Sequence, residues 1–155
     1  MIVFLDTGIL GLITSPNDKV EVQECQEWFY ALLARSAYVL TSDLCDYEVR
    51  RGLMLVSMTK LNEQGLNNLD ELQQVIDFLP VTKILLRRAA RIWAESRRRG
   101  LSTADPKTLD ADSIIMAQCQ LLQESYPGRQ VVIATTNVKH LSRFAEAKSW
   151  REIRS

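Results

Sequence analysis

The residues Ile2-Val3-Phe4-Leu5-Asp6-Thr7-Gly8 open the chain with four apolar side chains stopped by an acid, a hydroxyl and a glycine. A short continuous apolar run rich in branched residues suits a strand covered on both faces, as strands of parallel sheets are. A second run of this kind, Val131-Val132-Ile133-Ala134, is followed by Thr135-Thr136-Asn137. Helical spacing fills most of the chain between them. Strands alternating with helices imply an α/β fold with a mainly parallel central sheet.

Working outward from Asp6, Ile9 to Ile13 forms a short helical piece that ends at Ser15 and Pro16. Val20 to Ala37 carries helical spacing through Val22, Cys25, Trp28, Phe29, Leu32 and Leu33. Tyr38 to Leu40 reads as a strand. A helix is expected from Ser42 to about Leu61, with Thr41 or Ser42 as its N-cap, and another over Leu66 to Ile76. Phe78 to Val81, interrupted by Pro80, suits an edge strand. From Lys83 to Arg99 an amphipathic helix sets Leu85, Ala89, Ile92, Trp93 and Ser96 on one face and arginines on the other, with Gly100 ending it. Leu101 to Thr108 reads as a loop, Leu109 to Glu124 as a broadly apolar helix broken by Pro127 and Gly128, and Trp150 to Ile153 as a last short strand.

A chain of 155 residues supports one well-buried core, so residues 1–155 are taken as a single domain. Its 46% hydrophobic and 25% charged content is that of a globular protein. No apolar run approaches the roughly 18 residues that span a bilayer, and Asp6 interrupts the apolar start, which leads us to expect a cytoplasmic protein without a signal peptide. Cys25, Cys45 and Cys119 are odd in number, far apart and without a C-x-x-C pair, so they read as buried small hydrophobes. With His140 the single histidine, a metal site here must be built from oxygen. Nineteen basic and nineteen acidic residues cancel, yet seven of the basic ones and only one acid, Glu95, lie between Lys83 and Arg99. That stretch is either a solvated helix face or a surface for phosphates.

In open parallel sheets ligands collect beyond the carboxyl ends of the strands, which directs attention to Asp6 and to Thr135 and Asn137. Asp6 would serve equally as a helix N-cap, and Thr135 and Asn137 as turn formers. Glu48 shares a helical stripe with Cys45, Gly52 and Leu55, so a carboxylate interrupts an apolar or small face. Burying it requires a cation, a hydrogen-bond network or a raised pKa, and Arg51 is near enough on the helix to be a structural partner. Asp110 and Asp112 open the apolar helix, where acids favour the helix dipole. Two residues apart they differ by about 200° of rotation, so only one can point inward. Asp112 lines up with Ile115, Met116 and Cys119, whereas Asp110 sits nearer Ser113, Gln120 and Glu124 and reads as an outer acid or helix-start residue. A single site for Mg²⁺ or Mn²⁺ would account for these acids together.

Four segments resemble the PIN-domain ribonucleases, especially the VapC-type toxins of toxin–antitoxin pairs. They are Ile2 to Gly8, Tyr47-Glu48-Val49-Arg50-Arg51-Gly52, the run from Leu109 through Asp110 and Asp112 to Ala117, and Ile133 to Leu141 with Thr135, Asn137 and His140. No segment is specific alone; the ordered set, which spans nearly the whole chain, is. The resemblance implies a three-layer α/β/α sandwich whose acids Asp6, Glu48 and Asp112 meet at one end of the sheet and bind Mg²⁺ or Mn²⁺, with Thr135 ordering the site. Asn137 stands where many members carry a fourth acid, a departure that implies either a weakened second metal or a one-metal site. The resemblance further implies an RNA substrate, a homodimer and a small antitoxin partner. Arginines of the 83–99 helix, or Arg50 and Arg51, would hold the RNA backbone. Two other readings remain: a PIN-like module that binds RNA or protein without cutting, suggested by Asn137, and a receiver-like phosphotransfer domain. The second is disfavoured because no Asp-x-Asp follows the first strand and Glu48 would have no task.

Overall fold

The computed structural model describes residues 1–55, 59–100 and 106–154, with side chains in the last span from residue 110 onward. Five strands form one sheet in the order β3-β2-β1-β4-β5, every neighbouring pair parallel: β1 (Ile2–Leu5), β2 (Tyr38–Ser42), β3 (Asp77–Leu79), β4 (Val131–Ala134) and β5 (Ala147–Lys148). β1 is central, with Phe4 opposite Leu40 on one side and Ile133 on the other. All four residues of β1 and of β4 are buried. Since successive strand side chains point to opposite faces, both faces of the sheet are covered, which makes the fold a three-layer α/β/α sandwich.

Parallel neighbours require crossovers, and helices provide them. α1 (Thr7–Thr14) and α2 (Val20–Ala34) lead from β1 to β2, and α3 (Asp43–Leu55) and α4 (Lys60–Leu72) from β2 to β3. α5 (Lys83–Arg98) and α6 (Pro106–Ser125) then carry the chain back across to β4. The strand order therefore grows one way from β1 through β2 to β3 and the other way through β4 to β5. The reversal lies between β1 and β4, and the crevice at such a point is where open α/β sheets bind ligands. A short α7 (Val138–Leu141) follows β4.

Several boundaries differ from expectation for local reasons. α2 stops at Ala34 because Ser36 takes the left-handed conformation, φ 58°, and turns the chain into β2. β3 ends before Pro80, which lacks the N–H to continue a ladder. The helix expected from Ser42 to Leu61 ends as α3 at Leu55, with 56–58 outside the described residues. α4 starts at Lys60 rather than Leu66 because Thr59 caps it, its hydroxyl accepting from the Asn62 N–H at 3.2 Å. Pro106 to Thr108, expected in the loop, belong to α6, where proline suits a first turn; 101–105 lie outside the described residues. The expected strand at Trp150 to Ile153 is a single 3₁₀ turn, Trp150–Glu152, and the strand lies earlier as β5. Trp28 draws that tail onto α2: its indole N–H donates to the Ile153 carbonyl at 3.0 Å and its ring lies 5.7 Å from that of Trp150.

The amphipathic reading of α5 agrees with its burial, Leu85, Ala89, Ile92 and Ser96 facing inward, although Trp93 is at the margin. All three cysteines are free and buried. No helix among the described residues is long and apolar enough to cross a membrane.

Candidate functional site

Asp6 leaves β1 at the reversal of strand order, and its backbone N–H donates to the Ala134 carbonyl at 3.0 Å, which ties it to the end of β4. Its carboxylate is held at both oxygens. Oδ1 accepts the Thr7 N–H at 2.7 Å, so Asp6 does cap α1, and Oδ2 accepts the Thr135 hydroxyl at 2.6 Å. Thr135, fully buried, accepts in turn from the Asn137 N–H at 2.9 Å. Burial raises the Asp6 pKa above the usual carboxylate range despite these two hydrogen bonds, which act the other way.

Glu48 reaches the same place from α3. Its Oε1 accepts the Thr7 hydroxyl at 3.0 Å, and its Oε2 lies 3.4 Å from Arg51 Nη2. Thr7 thus links the first two acids, its N–H on Asp6 and its hydroxyl on Glu48. The helical stripe that Glu48 shares with Cys45, Gly52 and Leu55 is not a buried face. Cys45 is fully buried, but Gly52 is exposed and Leu55 is 89% exposed, because only the start of α3 packs against the core. Glu48 stands at the rim, its side chain one-fifth exposed. Burial pushes the neighbouring Cys45 thiol up to about 12, which keeps it a neutral thiol, not a nucleophilic thiolate, at neutral pH.

Asp112 enters from α6 and is buried, 8% exposed. Its pKa is pushed up to about 6, first by desolvation, then by the charges of Asp6 and Glu48, with Arg143 partly offsetting them. The 200° rotation separates the two aspartates as geometry requires. Asp110 is exposed and lines a different groove, between α5 and α6, with Leu86, Trp93 and Ser113. Ser113, which the sequence pattern puts on a polar side of the helix, is itself buried.

Asp6, Thr7, Glu48, Arg51, Asp112 and Asn137 line one cleft of about 230 Å³ at the carboxyl end of the sheet. Among the described residues, larger cavities of about 500 and 530 Å³ lie beside Trp28 and Trp150 and beside Ile13, Phe29 and Leu72, and the α5–α6 groove is about 430 Å³. The small cleft is where the acids gather. Its donor atoms are carboxylate, hydroxyl and amide oxygens, a set that fits a hard divalent cation such as Mg²⁺ or Mn²⁺. Among the described residues no three Asp, Glu, His or Cys side chains already stand close enough to clasp an ion. Such a cation would therefore rest on one or two carboxylates and keep waters, which is how proteins commonly hold Mg²⁺. Sequence pattern assigns no role to Thr7 or Arg143. Thr7 is visible there as a hydroxyl beside a strand-end acid, whereas the approach of Arg143 to Asp112 carries no local signal.

No family model and no curated protein matches the chain. Solved structures do. One chain of the FitAB complex bound to a DNA fragment superposes with a TM-score of 0.72 at 17% identity, covering 99% of this chain and 98% of that one. A chain of VapBC2 from Rickettsia felis, bound to a promoter DNA fragment, gives 0.66 at 18%, covering 97% and 99%. A chain of VapBC-1 from nontypeable Haemophilus influenzae gives 0.65 at 16%, covering 98% and 100%. At such identities the likeness establishes the fold: a PIN-like α/β/α sandwich. The fold that the four sequence segments imply is thus carried by nearly the whole backbone.

Proposed function

We propose that this protein is a metal-dependent endoribonuclease and the toxin of a toxin–antitoxin pair, acting in the cytoplasm. The observation that carries the reading is the convergence of Asp6, Glu48 and Asp112, from three separate elements, on one cleft at the sheet's point of reversal. Three carboxylates so placed repel one another, and burial first, then the charges of Asp6 and Glu48, push the Asp112 pKa up to about 6. A divalent cation would relieve that repulsion, which supports reading the cleft as a cation site.

Asp6 and Asp112 would hold Mg²⁺ or Mn²⁺, with Glu48 contributing directly or through water. Such an ion supplies Lewis acidity to a phosphodiester and acidifies water. Thr135 and the Thr7 N–H fix both oxygens of Asp6, so this carboxylate is oriented before any ligand arrives. Glu48, one-fifth exposed at the rim and contacted by Thr7 and Arg51, would accept the proton of the attacking water. Asn137 brings an amide where a fourth acid would add negative charge, which favours a single ion. The same amide favours the second reading, a module that binds RNA without cutting. FitAB and VapBC are complexes, and this chain would pair likewise with a small antitoxin and with a second copy of itself.

Incubating a defined single-stranded RNA with the chain plus Mg²⁺, Mn²⁺ or chelator tests the proposal. Cleavage should need the cation and fall at least about a hundredfold in Asp6→Asn and in Asp112→Asn. RNA cut equally well by both variants, or in chelator, refutes it. RNA bound but never cut establishes the binding module instead.

A further inference from the structure

We propose that Tyr47 and Arg51 form a stacking platform that receives an unpaired base and its phosphate at the mouth of the acid cleft. The inference rests on the ribonuclease reading above and assigns residues to substrate capture. Tyr47 directly precedes Glu48 and is 57% exposed, on a helix that packs on the core through Leu44, Cys45 and Val49 but not through Tyr47. Large exposed aromatic rings beside an acidic cleft are poorly explained by folding, since this ring adds nothing to the core.

Arg51 is four residues from Tyr47 and three from Glu48, so helix geometry sets its side chain between them. Its guanidinium lies 5.2 Å from the centroid of the Tyr47 ring and 3.4 Å from Glu48 Oε2. The neighbouring Arg50 serves as a contrast. Arg50 is bonded to both oxygens of Asp46, at 3.0 and 2.9 Å, and to Asp70 at 2.8 Å, which commits it to joining α3 and α4. Among the described residues Arg51 makes, besides its approach to the Tyr47 ring, one long polar contact; its side chain is 59% exposed and lines the cleft. A guanidinium has five donors, most of them free here to meet a phosphate while the plane stays on the ring.

An aromatic ring paired with a guanidinium plane offers a base two stacking surfaces, whatever the base's identity. Stacking demands a base out of its duplex, so the platform selects single strands and loops. Truncating the ring should weaken binding roughly 5- to 100-fold. Because the ring takes no part in bond breaking, the loss belongs in KM, with kcat within about threefold of native.

The test measures anisotropy of a labelled ten-nucleotide RNA in chelator, single-stranded and annealed to its complement, and then steady-state cleavage with Mn²⁺. Tyr47→Ala should weaken single-strand binding and raise KM, and Tyr47→Phe should restore both. Arg51→Ala should weaken binding and lower the salt slope by about one, and Arg51→Lys should restore the slope but not the stacking. Both side chains being exposed, melting curves should stay near native. The platform is overturned if Tyr47→Ala leaves affinity and KM unchanged or if duplex binds as tightly as single strand. It is equally overturned if the variant alters self-association in gel filtration without altering RNA affinity, which makes the ring a protein contact. Failure of the ribonuclease reading itself looks different: the native chain neither binds nor cuts RNA, and the platform falls with it.

Discussion

Replacing Asp112 by asparagine should stabilise the metal-free protein above neutral pH. The Asp112 carboxyl, ordinarily at 3.8, titrates near 6 in the fold because burial and the charges of Asp6 and Glu48 disfavour its ionised form. Between those values the folded chain binds more protons than the unfolded one, so stability falls as pH rises through that window, and the full penalty is present above about 6. A tenfold difference in proton affinity between folded and unfolded chain corresponds to about 1.4 kcal/mol, which sets a ceiling of about 3 kcal/mol. Water in the open cleft screens part of this, and we expect about 1–2 kcal/mol. Asp112→Asn should then raise the unfolding free energy by that amount at pH 8 in chelator, or the midpoint by roughly 2–8 °C for a chain of this size. By pH 5 the gain should shrink to about half. Urea unfolding at both pH values reads it directly. Adding Mn²⁺ should reverse the order, since an ion at a hundred times its Kd stabilises only the chain that binds it, by about 2.7 kcal/mol. A variant less stable than native in chelator at pH 8, or a difference that does not change between pH 5 and 8, would refute the claim that burial and the neighbouring acids disfavour the ionised Asp112 carboxyl.

Three further substitutions test individual features. Asn137→Asp adds a charge to the cleft and should lower metal-free stability by about 1 kcal/mol while raising Mn²⁺ affinity several-fold, read by thermal melts and calorimetric titration. Gly52→Ala places a Cβ on an exposed helix position where nothing lies within 4 Å, so urea unfolding should show a gain of about 0.8 kcal/mol. Ser36→Gly relieves a left-handed residue at φ 58° and should add about 0.5 kcal/mol in the same assay, the glycine's greater unfolded-state freedom cancelling part of the relief.

The strands that build the sheet's centre are legible in the sequence because a strand covered on both faces must be apolar throughout, and β1 and β4 are buried at every position. Edge elements carry no such demand. β5 is two residues long and contains a lysine, so nothing in Ala147-Lys148 separates it from a loop, and Trp150 to Ile153, with its two large apolar side chains, is the natural but mistaken choice. Helix limits between Ser42 and Ile76 are blurred for a related reason. Leu55 and Leu61 continue a helical pattern although both are exposed, and the actual start of α4 is set by one hydroxyl, that of Thr59.

At the site, periodicity tells correctly which residues share a face and incorrectly whether that face is covered. Its spacing makes Glu48 a charge intruding on a buried stripe, whereas α3 runs out past the core and leaves Gly52 and Leu55 in solvent. The conclusion that Glu48 needs a partner survives on other grounds. Thr7 and Arg51 both bind it, and one of those contacts spans 41 residues of sequence. The separation of Asp112 from Asp110 is legible because it depends only on the turn angle of a helix, which tertiary structure does not alter. Long-range contacts are of the opposite kind. That Thr135 grips Asp6 across 129 residues follows from β1 and β4 being neighbours, a fact of sheet order and not of local pattern. The acids can therefore be found one by one from sequence, but their preorganisation, two threonines holding one carboxylate before any ion arrives, exists only once the strands are side by side. Asp6 is gripped across the sheet for that reason while Glu48 remains at the rim, a difference that on the proposed reading would suit Asp6 to anchoring an ion and Glu48 to accepting a proton.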